Sequence, residues 1–452
     1  MLKRIASALW GNFQSRDELK KFGLLALIFG LLIGLYWALR PMKDSIFFAI
    51  VGVEYQPYAK MLSLVIIVPL IIIYGKLIDT FPRHRVFYAL ACVYGIAAFF
   101  FAYFFMHPEM GLANTVKDSG RILGWLWYVY VESFGSLLVA LFWAFTTDIT
   151  EPESAERGFP FIGLFGQVGN IFGPTILTAH RLGFENSAPV VGICAVLMFV
   201  MAGLLWVFMS VIPTSQMTGY HAKGDAEKHS EPGFFEGLKL LATQGYLLGI
   251  FLIITIYEVI VTVIDYHFKD TVQAAFHSEK EVSAYLASYA TYTGIVATLC
   301  IFLGINNIQR RLGMKPSLIL LPVLVAVAIV TLKFNPSALN IAFWIMVFSK
   351  AVNYALNQPT LKLLYIPTTK DTKYKAQAWI EMFGGRASKG TGSAINTFRS
   401  TFKAKYGAVV GVPAFLTLVT ALSGAMIFAW LFVALYVSKR YDQAIRKKEV
   451  VC

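Results

Sequence analysis

Along the 452 residues, apolar runs close to the length of a membrane-spanning helix alternate with short polar stretches. A helix that crosses the hydrocarbon core of a bilayer needs about 20 mostly apolar residues. About twelve such segments can be drawn on that criterion. Their cores lie at 24–50, 58–78, 86–106, 122–147, 158–178 and 189–212, then at 246–267, 283–304, 317–333, 338–364, 376–398 and 409–437. The stretch 214–243 holds Lys223, Asp225, Glu227, Lys228, Glu231 and Pro232 and separates the two sets. The pattern predicts an all-α polytopic membrane protein. It has an N-terminal six-helix bundle over 1–213 and a cytoplasmic linker over 214–243. A C-terminal six-helix bundle with a cytoplasmic tail follows over 244–452.

Composition agrees and narrows the class. The chain is 57% hydrophobic and 14% charged, against about 25% charged for a soluble domain. Its 15% aromatic content suits Trp and Tyr belts at the membrane interfaces. Cationic residues gather where the even segments end: Arg83 and Arg85, Arg310, Arg311 and Lys315, then Lys439, Arg440, Arg446, Lys447 and Lys448. Lys3, Arg4, Lys20 and Lys21 lie on the same side. Arg399, Lys403 and Lys405 break the trend. The positive-inside bias puts both termini in the cytoplasm. It also accounts for part of the +13 net charge, so no nucleic-acid partner is expected. The N-terminus lacks a signal-peptide cleavage site and is brief for a transit peptide. A bacterial inner membrane is the simplest location, with a plastid or parasite membrane as the alternative.

Three of the four cysteines lie inside apolar runs and form no disulfide framework. The seven histidines show no metal-ligand spacing. The stretch GGRASKGTGS at 384–393 lacks Walker spacing and reads as small residues for helix packing. Gly163, Gly166, Gly169 and Gly173 form a similar face on the fifth segment. No nucleophile–His–acid set stands out. Neither an enzyme nor a cofactor is expected, and a monomer suffices.

Charges buried in the apolar runs carry the candidate chemistry. Glu132, Glu258 and Lys350 each lie near the middle of a span, and Arg40 and Lys43 lie in the outer half of theirs. A charge at the centre of a membrane helix costs roughly 2.5–3.5 kcal/mol. Such residues line a polar cavity or pair with one another. Arg40 and Lys43 share a helix face, and Asp44 is placed to offset Arg40. Pro41 disturbs the helix there. Snorkelling to the outer interface is the plainer reading of Arg40 and Lys43. Helix-joining salt bridges are the plainer reading of Glu132, Glu258 and Lys350.

The two sets of six look related. GKLIDTFPRHR, from Gly75 to Arg85, and GINNIQRRLGMK, from Gly304 to Lys315, each place a glycine at a helix end before a cationic loop. The first resembles the G-x-x-x-D-(R/K) loop of the major facilitator superfamily. Gly75 would let two helices approach, and Asp79 would cap a helix or pair with Arg83 or Arg85, in a structural or gating role. At an offset of 218, Arg157, Ile162, Phe165 and Gly166 align with Lys375, Ile380, Phe383 and Gly384, and Glu132 falls on Lys350. Two pseudo-symmetric six-helix halves are the plan of facilitator-type transporters, with the substrate site between them.

Longer motifs extend the likeness. Leu39-Arg40-Pro41-Met42-Lys43-Asp44 resembles L-R-D-T-K-D in the first helix of the nucleotide transporter (NTT) family, the ATP:ADP antiporters of obligate intracellular bacteria and plastids. Glu132, in VESFGSLLVALFWAFTTDIT, resembles that family's E-x-W-G-S…F-W-x-F-x-N-x-I-T, and Tyr257-Glu258-Val259 its V-E-V. Ser349-Lys350-Ala351, Tyr354, Leu356, Pro359-Thr360 and Tyr365-Ile366-Pro367 follow S-K-A-x-K-Y-S-L-F-D-P-T…Y-I-P. Lys375-Ala376, Gly385-Arg386 and Ser388-Lys389-Gly390 echo G-K-A-A-I-D…G-A-R-L-G-K-S-G-G. The likeness covers residues 20 to 400. Pro41, Met42, Asn353, Gln358, Leu361 and Lys362 depart from it, which puts ATP/ADP selectivity in question.

The resemblance implies a transporter that exchanges external ATP for internal ADP by alternating access. Lys43, Lys350, Arg40, Arg386 and Lys389 would hold phosphate by charge-assisted hydrogen bonds. Glu132, Glu258 and Asn357 would serve base recognition or charge coupling. Two other readings stay open. One is a proton-coupled symporter for nucleotides, NAD or another phosphorylated metabolite. The other, of a different class, is a non-transporting membrane receptor.

Overall fold

The computed structural model describes residues 13, 15–217, 239, 241–303, 312–368, 380, 384–447 and 449–451. Its elements among these residues are helices: α1 (Arg16–Ile50), α2 (Gln56–Thr80), α3 (Arg83–Met106), α4 (Ile122–Asp148), α5 (Pro152–Ile176), α6 (Ala188–Val211), α7 (Gly245–Ala275), α8 (Glu279–Phe302), α9 (Met314–Phe334), α10 (Leu339–Leu364) and α11 (Gly385–Lys447). Positive φ at Gly407 breaks α11 in two. The all-α polytopic architecture is as the hydrophobic pattern predicts. Ten helical stretches among the described residues are long and apolar enough to cross a membrane. Large apolar side chains such as Val65, Phe100, Trp206 and Phe302 are exposed on them, which suits hydrocarbon rather than water.

Helix α5 and the first part of α11 fall outside those ten. Their sequences explain why, since both spend positions on glycine and polar residues that pack rather than repel water. On α5 a Cβ at Gly169 would lie 2.1 Å from the Gly30 carbonyl oxygen, and one at Gly173 would lie 2.1 Å from that of Gly34. Gly30 and Gly34 on α1 thus face Gly169 and Gly173 in a reciprocal small-xxx-small contact. On α11 a Cβ at Gly392 would come within 2.8 Å of Thr262 and of the Val259 carbonyl oxygen on α7.

By their contacts the residues form two compact units. The first comprises Met1–Gly52, Val65–Glu227 and Phe276–Gly294, and the second Val53–Leu64, Lys228–Ala275 and Ile295–Cys452. The first unit is organised on α1, which packs along α5 and also against α4 and α6. Ser15 caps α1 by accepting a hydrogen bond from the Glu18 backbone N–H at 3.0 Å. Glu18 then takes Arg157 at 2.7 Å and the Ser154 hydroxyl at 2.8 Å. Lys21, 2% exposed, donates to the carbonyls of Ile149 and Gln216. These contacts tie three chain segments to the first turns of α1. In the second unit α7 packs chiefly against α11, and α9 also leans on α11.

Gly75, Arg83 and Arg85, three of the residues expected about the loop after α2, are among the described residues. Among the described residues no neighbour lies within 4 Å of where a Cβ on Gly75 would point, so none of them makes the close approach expected there. Arg83 has partners on another helix. It reaches Asp148 at 2.9 Å and donates to the Ala144 carbonyl at 2.9 Å, anchoring the end of α4. Arg85 is exposed. The side chain of Asp79, the second loop copy from Gly304 to Arg311, and Lys375 with Phe383 lie outside the described residues and side chains.

Candidate functional site

In the first unit α1 and α4 bring together residues 89 positions apart. Lys43 Nζ donates to Glu132 Oε1 at 2.5 Å and lies 3.9 Å from Asp44 Oδ1. It also sits 4.3 Å from the centre of the Tyr128 ring. Tyr128 and Glu132 are one turn apart on α4, so ring and carboxylate approach the ammonium from the same face. Lys43 is 3% exposed, while the Glu132 side chain is 33% exposed. Lys43 therefore does not snorkel. It is a buried cation between two carboxylates, one of which is open to the space beyond. Asp44, expected beside Arg40, lies within ion-pair distance of Lys43. The Trp127 indole donates to the Met42 carbonyl at 3.2 Å and fixes this part of α1, which runs unbroken through Pro41.

Arg40 is half-buried and stacks over Trp37 and Tyr36, 4.9 Å and 5.5 Å from their ring centres. Gly135 makes room for this stack, since a Cβ there would lie 2.1 Å from Tyr36. Elsewhere in the unit, Glu279 at the start of α8 is held by hydroxyl and amide donors. Ser45 donates at 2.6 Å, the Ser187 hydroxyl at 2.7 Å and the Ser187 N–H at 2.9 Å. Among the described residues it has no ion-pair partner.

In the second unit the acid that gathers cations is Asp265. Lys269, one turn on along α7, meets it at 2.8 Å, and Lys60 at 3.7 Å. Lys350 on α10 lies within its electrostatic reach. Lys60, Lys269 and Lys350 thus lie about one carboxylate. Glu258, two turns earlier on α7, is 3.9 Å from Lys389 on α11. Arg386 lies half-buried one turn before Lys389. Just beyond Lys350, α10 takes a π-helical turn over Asn353–Asn357. There Asn357 Nδ2 donates to Asn353 Oδ1 at 2.9 Å, and both side chains are buried. Such turns recur at functional sites because they rotate side chains out of the regular helical phase.

The sequence profile of the TLC ATP/ADP transporter family matches residues 1–335 and 331–441. The chain belongs to this family. Among similar curated proteins is ADP,ATP carrier protein 1 of Rickettsia typhi, 23% identical over 99% of this chain and 98% of that protein. ADP,ATP carrier protein 1 of Chlamydia muridarum is 26% identical over 99% and 93%. The chloroplastic ADP,ATP carrier protein 1 of Arabidopsis thaliana is 27% identical over 84% and 68%. Solved structures extend the likeness to fold alone. The POT family transporter PepTSo matches with a TM-score of 0.64 at 14% identity, over 93% of this chain and 98% of that one. The nucleoside transporter NupG matches with a TM-score of 0.59 at 15% identity, over 93% and 99%. The chain thus shares its fold with these two solved structures.

The structure therefore joins Lys43 with Glu132 and, separately, Glu258 with Lys389. Glu132, aligned with Lys350 by the internal repeat, takes Lys43 as its partner. Asp265, Lys269, Lys60 and Glu279 escaped the sequence reading. Asp265 and Lys269 did carry a signal: an acid and a base at i and i+4 near the end of an apolar run, the spacing that singled out Arg40 and Asp44.

Proposed function

We propose that this TLC family member exchanges external ATP for internal ADP by alternating access. The observation that carries the reading is the gathering of Lys60, Lys269 and Lys350 about one carboxylate, Asp265. Ammonium groups gathered at one place along membrane-spanning helices suit an anion, and a nucleotide supplies several phosphate charges in one molecule. Lys43 and Lys350 bind phosphate, helped by Arg40, Arg386 and Lys389. Glu132, Glu258 and Asn357 meet the base or balance charge. With no nucleotide bound, Glu132 and Asp265 neutralise the lysines. With nucleotide bound, the phosphates take their place. Exchange needs no bond cleavage, so concentration ratios drive it. The positive-inside bias supports both termini in the cytoplasm, and two six-helix halves in a bacterial inner membrane, working as a monomer, complete the reading.

Binding of ATP and adenosine to the purified protein tests this assignment. Lys350→Gln or Lys60→Gln removes a charge-assisted hydrogen bond to phosphate, about 1.5–3 kcal/mol, or on the order of tenfold or more in ATP affinity. Adenosine binding stays at the parental level. ATP binding unchanged in both variants would remove the lysines from the site.

One observation favours a second reading, proton-coupled symport. Glu279 is a carboxyl group held by hydroxyls and an amide, an environment that accepts either protonation state. If coupling runs through it, an inward proton gradient drives nucleotide into empty liposomes, and Glu279→Gln abolishes that uptake. Uptake indifferent to the gradient leaves exchange alone.

A further inference from the structure

Between Leu32 and Val51 helix α1 is buried except at Ile33, Tyr36, Trp37, Arg40 and Ala49. The first four of these share one face of the helix. On α4 the positions Glu132, Gly135 and Ser136 are likewise only part-buried. The two sets adjoin, because a Cβ at Gly135 would lie 2.1 Å from the Tyr36 ring, and Lys43 reaches Glu132 from α1. Charged residues within membrane-spanning helices face a polar cavity or the bundle interior rather than lipid. The two faces therefore line a polar space within the first unit.

Arg40 is held there as a plane. Its guanidinium stands 4.9 Å from the centre of the Trp37 ring and 5.5 Å from that of Tyr36. The two ring centres lie 6.0 Å apart with their planes at 68°, so the rings back the guanidinium from two directions. Tyr36 is itself set against the backbone of α4, where Gly135 leaves room for it. An ion pair would neutralise Arg40 without orienting it. Two rings fix the plane of a flat, weakly hydrated cation, and such a plane is the form in which arginine stacks on nucleobases. Lys43 follows three residues later on the same face, about 4.5 Å further along the helix axis.

A planar cation and an ammonium one turn apart select their occupant. A bare polyphosphate uses the ammonium and leaves the plane idle, and an uncharged ring does the reverse. A nucleotide uses both. We propose that the purine base of the transported nucleotide stacks on the Arg40 guanidinium, on the face remote from Tyr36 and Trp37, while its phosphates turn towards Lys43. The assignment rests on the exchange reading and deepens it. Stacking takes the face of the guanidinium and leaves its in-plane N–H groups for phosphate, so Arg40 serves both ends of the ligand. Stacking also reads the flat of a base and not its edge. The platform therefore separates nucleotides from bare polyphosphates, but not adenine from guanine.

Binding of ATP, GTP and inorganic tripolyphosphate to the purified full-length protein tests it. Arg40→Lys keeps the charge and removes the plane, and Trp37→Leu keeps every charge and removes the backing. Each should lower ATP and GTP affinity by the same factor, about tenfold, the scale of one lost base stack. Tripolyphosphate affinity should stay parental in both. Lys350→Gln separates the platform from the reading on which it rests, since it should weaken all three ligands. Parental ATP and GTP binding in Arg40→Lys and Trp37→Leu, beside an impaired Lys350→Gln, would overturn the platform alone. An equal loss of ATP and tripolyphosphate binding in Arg40→Lys would also overturn it and leave Arg40 as a phosphate ligand. A Lys350→Gln variant that binds all three ligands as the parent does would overturn the lysine site instead.

Discussion

Removing Lys43 should cost the protein far more stability than removing the charge of Glu132. Lys43 stands between two carboxylates, Glu132 at 2.5 Å and Asp44 at 3.9 Å. Glu132→Gln leaves a carbonyl oxygen that still accepts from the ammonium, with Asp44 beside it as counter-charge. The loss is the difference between a charged and a neutral hydrogen bond, about 1 kcal/mol. Lys43→Met leaves two carboxylates facing a site with no ammonium between them. Stripping one partner from a buried pair costs about 3–5 kcal/mol. Here the cost falls near the low end, at about 3 kcal/mol, because Arg40 lies one turn away and Glu132 is a third exposed. The difference between the two variants is about 2 kcal/mol, more than a tenfold change in an unfolding equilibrium. Adding Asp44→Asn to Lys43→Met should return part of the loss, since it removes the more deeply buried acid. The assay is chemical denaturation in bicelles, read as a double-mutant cycle over Lys43, Asp44 and Glu132. Equal stability of Lys43→Met and Glu132→Gln would refute the reasoning, as would an Asp44→Asn that fails to rescue.

Other predictions follow from the same geometry. Gly169→Ala or Gly173→Ala drives a methyl into an α1 carbonyl and should destabilise by roughly 1–3 kcal/mol. Gly163→Ala on the same helix meets nothing within 4 Å among the described residues and should be neutral in the same thermal assay. Asp265→Asn leaves three lysines without their shared acid. It should slow exchange in proteoliposomes while ATP still binds, and parental exchange rates would make that acid dispensable. Arg83→Ala should cost only about 0.5–1 kcal/mol, because its ion pair with Asp148 is between partly exposed groups, 34% and 56%.

The helices were legible because hydrophobic length is a direct physical demand of the bilayer. The glycine face of α5 was legible as packing, and Gly166, Gly169 and Gly173 do meet α1 closely, while Gly163 meets no described neighbour within 4 Å. Pairing was less legible. Lys43 and Glu132 lie 89 positions apart, and the internal repeat ranks depth in the membrane rather than contact, so it aligned Glu132 with Lys350. Glu258 and Asp265 illustrate a second limit. They lie seven residues apart on one face of α7, and a short motif match favours the first. Only the lysines arriving from α2 and α10 show that the second is the charge centre. Gly75 illustrates a third, since its motif predicts a helix approach that depends on partners the local sequence does not specify.

The central claim is exchange, and counterflow measures it most directly. Purified protein in liposomes preloaded with ADP, or left empty, is offered labelled ATP outside with no proton gradient. The account predicts rapid ATP uptake into loaded vesicles, matched by ADP release, and little into empty ones. Equal uptake into loaded and empty vesicles would contradict it.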